Sequence, residues 1–369
     1  MIGSIFPVCY RFRGISGLEE TFIRRHTWKW VAGCVLAALL AGWFVQSQLS
    51  ARAFDWSLAA GAVARLRWPW LLLSLVPIFG TYYGRALRWA VFLRPLKPQP
   101  SMRNLMVSTV IGFTAITLFG RAGDFVRPYL IAVKEKVPVT SQIASWLLER
   151  IFDLLMASLL LGFALTRVQA SGVHVGPKLA WVLTFGGKIV GASCVVVLIV
   201  LLSLRHFAEP VRRRLIAAAG LLPGHWFHRI EKLITALVKG VESTRSDGAL
   251  LLIFLYSVVE WALIAACYWC LTQAFVGIIN ITFVDVLILM GFVSFGGVVQ
   301  IPGVGGGTQV VAILVLTELY GVRLELATSF ALLLWILTFV AIVPIGLVLA
   351  LKEGLDWHSL RQIGREAAE

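Results

Sequence analysis

Ionisable side chains stand where the surrounding sequence is apolar: Arg85, Arg88, Arg121, Asp124, Arg127, Glu149, Arg150, Asp153, Lys188, Glu260 and Glu318. A charge in the middle of a membrane-spanning helix costs about 2.5–3.5 kcal/mol on the insertion scale, so each of these residues needs a partner or a task. Arg121, Asp124 and Arg127 lie at and just after a glycine break, Gly120-Arg-Ala-Gly123. A half-helix beginning near Gly123 directs free backbone N–H groups and its positive dipole end toward the gap, and Arg121 adds a fork that matches a phosphate. That chemistry is anion binding. Asp124, in the first turn, is placed to cap the helix or to hold an arginine when no ligand is present. A purely structural set of ion pairs has the same composition, and the residues alone leave both readings open.

Glu149, Arg150 and Asp153 form Glu-Arg-x-x-Asp. On a helix Glu149 and Asp153 share a face at i, i+4, and Arg150 can pair with Asp153 at i, i+3. The acids suit a latch or brace against Arg121 or Arg127, with proton transfer as the alternative. Arg85 and Arg88 lie one turn apart beside Trp89, near the expected cytosolic end of a helix. They are placed to bind substrate or to snorkel to head groups. Further on, Pro302-Gly-Val-Gly-Gly-Gly-Thr-Gln309 is glycine-dense and precedes a helix, but lacks the Lys-Ser/Thr ending of a phosphate-binding P-loop. Backbone amides near Gly306, with Thr308 and Gln309, are expected to face the same cavity as Arg121 from the opposite side. Glu260 and Glu318 are candidate gating or coupling partners.

Hydrolase, zinc-protease and dinucleotide signatures are absent from the sequence, and His225-x-x-His228, flanked by Trp226 and Phe227, reads as part of a surface helix. Cys267-x-x-Cys270 falls within an apolar run, where small packing residues are expected. No metal, no cofactor and no enzymatic activity are expected. The net charge of +14 is compatible with nucleic acid, yet the basic residues bracket apolar segments and form no compact basic domain. No nucleic-acid partner is expected, and the charge suits orientation in, and attraction to, anionic lipid surfaces.

The elements that must hold these residues are membrane helices. Hydrophobic residues make up 59% of the chain and charged residues 14%, with a mean hydropathy of +0.85, beyond any ordinary globular domain. Apolar runs at 31–45, 70–79, 154–165, 190–204 and 250–271 reach or approach the roughly 20 residues that span a bilayer. Spanning helices are expected at 30–47, 68–93, 140–166, 179–204, 249–273 and 325–351. The stretches 104–133 and 285–320 are each interrupted by glycines, and each reads as two half-helices with a loop between them. Residues 54–68 and the basic segment 205–247 mix apolar with charged side chains and suit helices at head-group level. Arginines ahead of the first apolar run argue against a cleaved signal peptide, so 1–29 reads as a basic cytosolic tail and 353–369 as another.

Loop charges orient this layout. With both broken stretches entering and leaving on one side, roughly 21 Lys and Arg fall on the side of the termini and about six on the other, which places both termini in the cytosol. The same layout contains a symmetry. Residues 68–166 and 249–351 each read as helix, broken hairpin, helix, and Ile111-Gly-Phe-Thr114 before the first break resembles Met290-Gly-Phe-Val293 before the second. An odd number of crossings precedes the first unit and an even number the second, so the units are inverted. Such repeats point to a transporter site near the midplane.

The motifs Gly120-Arg-Ala-Gly-Asp-Phe-Val-Arg-Pro-Tyr-Leu130, Leu148-Glu-Arg-Ile-Phe-Asp-Leu-Leu155 and Ile301-Pro-Gly-Val-Gly-Gly306 together resemble the transmembrane domain of the lysylphosphatidylglycerol synthase/flippase family. The likeness runs over 30–352. It implies an all-α integral membrane fold and the flippase half of such proteins, moving an anionic or aminoacylated phospholipid or a related polar lipid between leaflets of a bacterial inner membrane. It carries substrate contact over to Arg121, Asp124, Arg127, Glu149, Arg150 and Asp153. Where the family often continues with Arg-Glu after its second glycine run, this chain has Thr308-Gln309. Relatives linked to hopanoids and polyprenyl-linked sugars keep a second expectation open, an integral-membrane transferase or accessory protein. Membrane lipids are the expected partners, and a homodimer is left open.

Overall fold

The computed structural model of the chain describes residues 54–170, 192, 247–297, 300–301 and 305–354. The described residues from Trp56 onward belong to one compact unit. The expected spans at 30–47 and 179–204, the basic segment 205–247 and both tails lie outside the described residues.

The fold is almost wholly helical, as apolar sequence in a membrane must be, since lipid offers no partner for a backbone N–H or C=O. Helix α1, Trp56–Ala64, is followed at an angle of 79° by the continuous stretch Trp68–Leu93, made of α2 (Trp68–Leu73) and α3 (Leu75–Leu93). Then come α4 (Met102–Phe119), a tight 3₁₀ turn over Gly120–Phe125, α5 (Val126–Glu135) and the long α6 (Val139–Ala170). The second half holds α7 (Asp247–Ala274), α8 (Phe283–Gly296), a two-residue ribbon pairing Gln300–Ile301 with Gly305–Gly306, α9 (Gly307–Glu318), α10 (Leu324–Trp335), a π-helical turn over Ile336–Val340 and α11 (Val343–Lys352). Among the described residues four helical stretches are long and apolar enough to cross a membrane, Met102–Glu135, Val139–Ala170, Gly248–Ala274 and Leu324–Lys352, and the bent pair Trp56–Ala64 with Trp68–Leu93, counted as one span, makes a fifth.

The first of these stretches is a hairpin. A straight helix of its 34 residues would hold its ends about 50 Å apart. Instead Asn104 Nδ2 donates to Glu135 Oε1 at 2.7 Å and the Ser101 N–H donates to Glu135 Oε2 at 3.2 Å, so the two ends touch. Gly120, at φ +65°, ends α4 and starts the reversal, a conformation glycine adopts at little cost. Between the arms, a methyl group on Gly112 would stand 2.5 Å from Arg127 Cβ, and one on Gly123 would fall on the Ala115 backbone. The second broken stretch folds back in the same way. Its α8 starts from a capping box, in which the Thr282 N–H donates to Asp285 Oδ2 at 2.7 Å and the Asp285 N–H to Thr282 Oγ1 at 3.3 Å. Its arms close where a methyl on Gly296 would lie 2.5 Å from the Gly307 carbonyl oxygen, and its base closes where the Tyr320 hydroxyl donates to the Asp285 carbonyl at 3.4 Å.

The two halves pack reciprocally. Helices α3 and α7 run antiparallel along each other: Phe92 clusters with Ile253, Arg88 Nη1 donates to Ser257 Oγ at 2.9 Å, Arg85 pairs with Glu260, and Gly80 faces Leu263. The closing helix of the first half, α6, packs on α8, and the closing helix of the second, α11, packs on α4. Gly291 of α8 lies against Leu160 and Ala164 of α6, and Gly346 of α11 lies against Val110 and Thr114 of α4. The largest apolar cluster joins α6, α7, α8, α9 and α10.

Candidate functional site

Charged residues gather where α3, α5, α6 and α7 meet. Arg88, on the buried face of α3, is fully enclosed. Its Nη2 lies 2.7 Å from Glu149 Oε1 and its Nη1 2.9 Å from Asp153 Oδ1, both on α6. Arg85, one turn earlier, pairs with Glu260 of α7 at 2.6 Å, and the second Glu260 oxygen is 3.3 Å from Arg88 Nη2. Arg127 on α5 pairs with Glu149, and its guanidinium lies 4.2 Å from the Trp89 ring centroid and 5.3 Å from that of Phe113. Arg150 closes the ring with Asp153 at 3.0 Å and Glu149 at 3.4 Å. Trp89 Nε1 donates to Gln142 Oε1 at 2.9 Å, which fixes the ring that Arg127 covers.

Among the described residues four arginines therefore face three carboxylates, an excess of one positive charge within the group. Arg85 Nε, Arg127 Nη1 and Arg150 Nε are buried and find no hydrogen-bond partner among the described residues. Burying unpaired donors is costly, so a group with surplus charge and unused N–H bonds favours an anion.

The tips of the hairpins meet beside this cluster. Arg121 Nη2, on the first turn, donates to the Gly297 carbonyl oxygen of the second at 3.0 Å, and Arg121 Nη1 lies 3.6 Å from Asp124 Oδ2. Next to the contact is a cavity of about 190 Å³ whose wall includes Arg85, Phe113, Trp261, Ser294, Thr308 and Thr338. Thr338 belongs to the π-helical turn, which follows where Pro344 cannot donate to the carbonyl four residues back. Tyr82, another wall residue, donates its hydroxyl to the Thr338 carbonyl at 3.4 Å.

The structure places the expected residues unevenly. Arg85, Arg88, Arg127, Glu149, Arg150, Asp153 and Glu260 form one interlocked group. Arg88 does not reach a head group, because three carboxylates and Ser257 hold it inside. Arg121 and Asp124 ride on the 3₁₀ turn, and the α-helix starts at Val126, beyond the expected position near Gly123. Thr308 lines the cavity, whereas Gln309 turns back so that its Oε1 accepts from the Gly306 N–H at 2.6 Å and fills the space beside Gly305. Glu318 is the last residue of α9, eleven positions and about 16 Å of helix from the tip at Gly307. Cys267 and Cys270 are buried thiols, with Cys267 inside the large apolar cluster. Among the described residues no His, Cys, Asp and Glu side chains gather as a metal site.

Sequence reasoning named Trp89 only as a neighbour of Arg85 and Arg88, and passed over Phe113, Gln142, Ser257, Trp261 and Glu135. Ser257 and Gln142 carry no local signal, since contact with the cluster comes only from the crossing of helices.

Several long apolar helices, two of them broken or folded back, with charges sequestered among them, define a multi-pass membrane protein. The chain belongs to the family of lysylphosphatidylglycerol synthase transmembrane regions, whose profile matches residues 30–346, and this ties it to membrane-lipid-related function. It is also similar to the glycosyltransferase AglD of Haloferax volcanii, 35% identical over 89 residues, 24% of this chain. The match spans only 14% of that relative's length.

Proposed function

We propose that this protein is a lipid translocator that carries a polar lipid, with an anionic or zwitterionic head group, between the leaflets of a bacterial inner membrane. In this reading the two hairpins are re-entrant, one from each side, within two inverted repeats and six spans, and both termini are cytosolic. The head group travels through the polar space between the hairpin tips while the acyl chains stay in lipid, and rocking of one repeat against the other alternates access. No covalent chemistry is assigned to the chain.

The observation that carries the reading is the meeting of the two hairpin tips at Arg121 and Gly297, beside a cavity with Arg85 in its wall and a buried group carrying excess positive charge. Antiparallel α3 and α7, and the reciprocal seats of α6 on α8 and α11 on α4, support the inverted repeats. A soluble anion-binding protein would have no use for the membrane-length apolar helices Val139–Ala170, Gly248–Ala274 and Leu324–Lys352 around such a site.

The test is exchange of a fluorescent phospholipid in proteoliposomes. Arg121→Ala or Arg150→Ala is expected to abolish exchange while the protein still elutes as a single folded species. Undiminished exchange in both variants would remove these residues from the mechanism. The partial likeness to a glycosyltransferase favours a second reading, an accessory or transferase role on a lipid-linked sugar. Turnover of a polyprenyl-phosphate sugar donor by the purified chain would favour it over translocation.

A further inference from the structure

Arg85 differs from its three neighbours in the cluster. Arg88, Arg127 and Arg150 are tied to the α6 carboxylates, whereas Arg85 has one carboxylate partner among the described residues, Glu260, and lies at the cavity wall with its guanidinium 4.4 Å from the Phe113 ring centroid. Its side chain keeps some exposure, 14%, where that of Arg88 has none. Glu260 is in turn divided. One oxygen holds Arg85 at 2.6 Å; the other lies 3.3 Å from Arg88 Nη2 yet makes no hydrogen bond among the described residues. Beside it Trp261 also faces the cavity, and its buried Nε1–H has no acceptor among the described residues.

We infer that Arg85 exchanges counter-ions: an anionic phosphodiester group entering the cavity takes Arg85 from Glu260, and Glu260 swings fully onto Arg88. The ligand oxygens then receive the Arg85 fork and the Trp261 indole N–H, while Glu260 remains paired and is never left as a lone buried charge, which is the costly outcome. Four arginines against three carboxylates leave room for one negative charge. A phosphodiester, with a single charge, neutralises the group; a phosphomonoester overshoots. Because arrival of the ligand moves a carboxylate shared by α3 and α7, occupancy is communicated to the helix pair that joins the two halves of the fold. The inference rests on the translocator reading for the source of the phosphodiester, a lipid head group, but the exchange itself does not depend on that source.

The experiment measures binding of radiolabelled dihexanoylphosphatidylglycerol, dihexanoylphosphatidic acid and inorganic phosphate to the full chain in detergent. In the wild type the phosphodiester binds best. Glu260→Gln removes the competitor for Arg85 and is expected to tighten phosphodiester binding about tenfold, the worth of a charged hydrogen bond. Arg85→Gln is expected to abolish it. A Glu260→Gln variant that binds more weakly than, or the same as, wild type overturns the exchange, as does tighter binding of the monoester. Should Glu260→Gln not fold, infrared difference spectra of ¹³C-glutamate-labelled wild type decide: addition of the phosphodiester shifts a glutamate carboxylate band if the exchange occurs, and leaves all such bands unmoved if it does not. Inorganic phosphate binding as tightly as the lipid, with the same gain in Glu260→Gln, would uphold the exchange and overturn the lipid source. Lipid exchange in proteoliposomes without the Glu260→Gln gain would do the reverse.

Discussion

Arg121, on the turn of the first hairpin, donates a hydrogen bond at 3.0 Å to the carbonyl oxygen of Gly297, on the turn of the second, across 176 positions of sequence. Two interruptions of helix, each of which exposes backbone groups that lipid cannot satisfy, thus share one polar contact. The arrangement lets irregular backbone exist among apolar helices because each tip supplies part of what the other lacks.

That contact can be captured chemically. With the five native cysteines replaced, Arg121→Cys together with Gly297→Cys is expected to cross-link within one chain through a short bifunctional thiol reagent. A side chain at Gly297 meets only ordinary neighbours, the Ser294 carbonyl at 3.5 Å and Thr308 Oγ1 at 3.7 Å. Peptide mapping by mass spectrometry would show the linked pair; two separated tips would yield none.

Removing Glu149 should be more damaging than removing any other acid of the cluster. It holds both Arg88 and Arg127 and is wholly buried, so Glu149→Gln leaves two enclosed guanidinium groups short of charge. Breaking a buried pair costs about 3–5 kcal/mol. The expected result is a large fall in the unfolding midpoint in detergent. Arg150→Gln, whose side chain is about a third exposed, should lower it much less.

Glycines in the hairpins are held to different standards from those elsewhere. Gly123→Ala would drive a methyl into the Ala115 backbone, and Gly307→Ala one into Gly296, so both variants are expected to lose folded protein in gel filtration. Gly162→Ala meets nothing within 4 Å on α6 and should be tolerated, with a gain of about 0.5–1 kcal/mol from helix propensity. Equal tolerance at all three positions would contradict the closeness of the arms.

Glu135 closes the base of the first hairpin, where it accepts from Asn104 and the Ser101 N–H and pairs with Lys97 at 2.6 Å. Glu135→Ala strands these donors and should cost about 1–3 kcal/mol, seen as a lower unfolding midpoint and earlier proteolysis near residue 100. Lys97→Met should cost less, since its side chain is 37% exposed and screened by solvent.

The likeness of Ile111-Gly-Phe-Thr114 to Met290-Gly-Phe-Val293 marked related positions but did not tell what each glycine touches. Gly112 admits Arg127 of its own hairpin, whereas Gly291 admits Leu160 and Ala164 of α6. A local motif records that the backbone must come close to something; which surface arrives depends on how the halves interlock.

Sequence alone determined that this is a membrane protein of broken helices with costly internal charges, because hydropathy, glycine interruptions and charge in apolar surroundings are local properties written along the chain. It also brought Glu149, Arg150 and Asp153 onto one helix, since i, i+3 and i+4 spacing suffices for that. Only the tertiary structure decided that Arg88 is sealed in by those acids, that Glu260 is shared between two arginines, and that Gln309 turns onto Gly306 while Thr308 faces the cavity. The ion pairs of Arg88 and Glu260 join residues from different helices, whereas the Gln309 turn is a contact three residues long whose use depends on where its helix start is placed. Those ion pairs follow from how α3, α6 and α7 cross, a matter of packing between distant segments that no window of sequence contains.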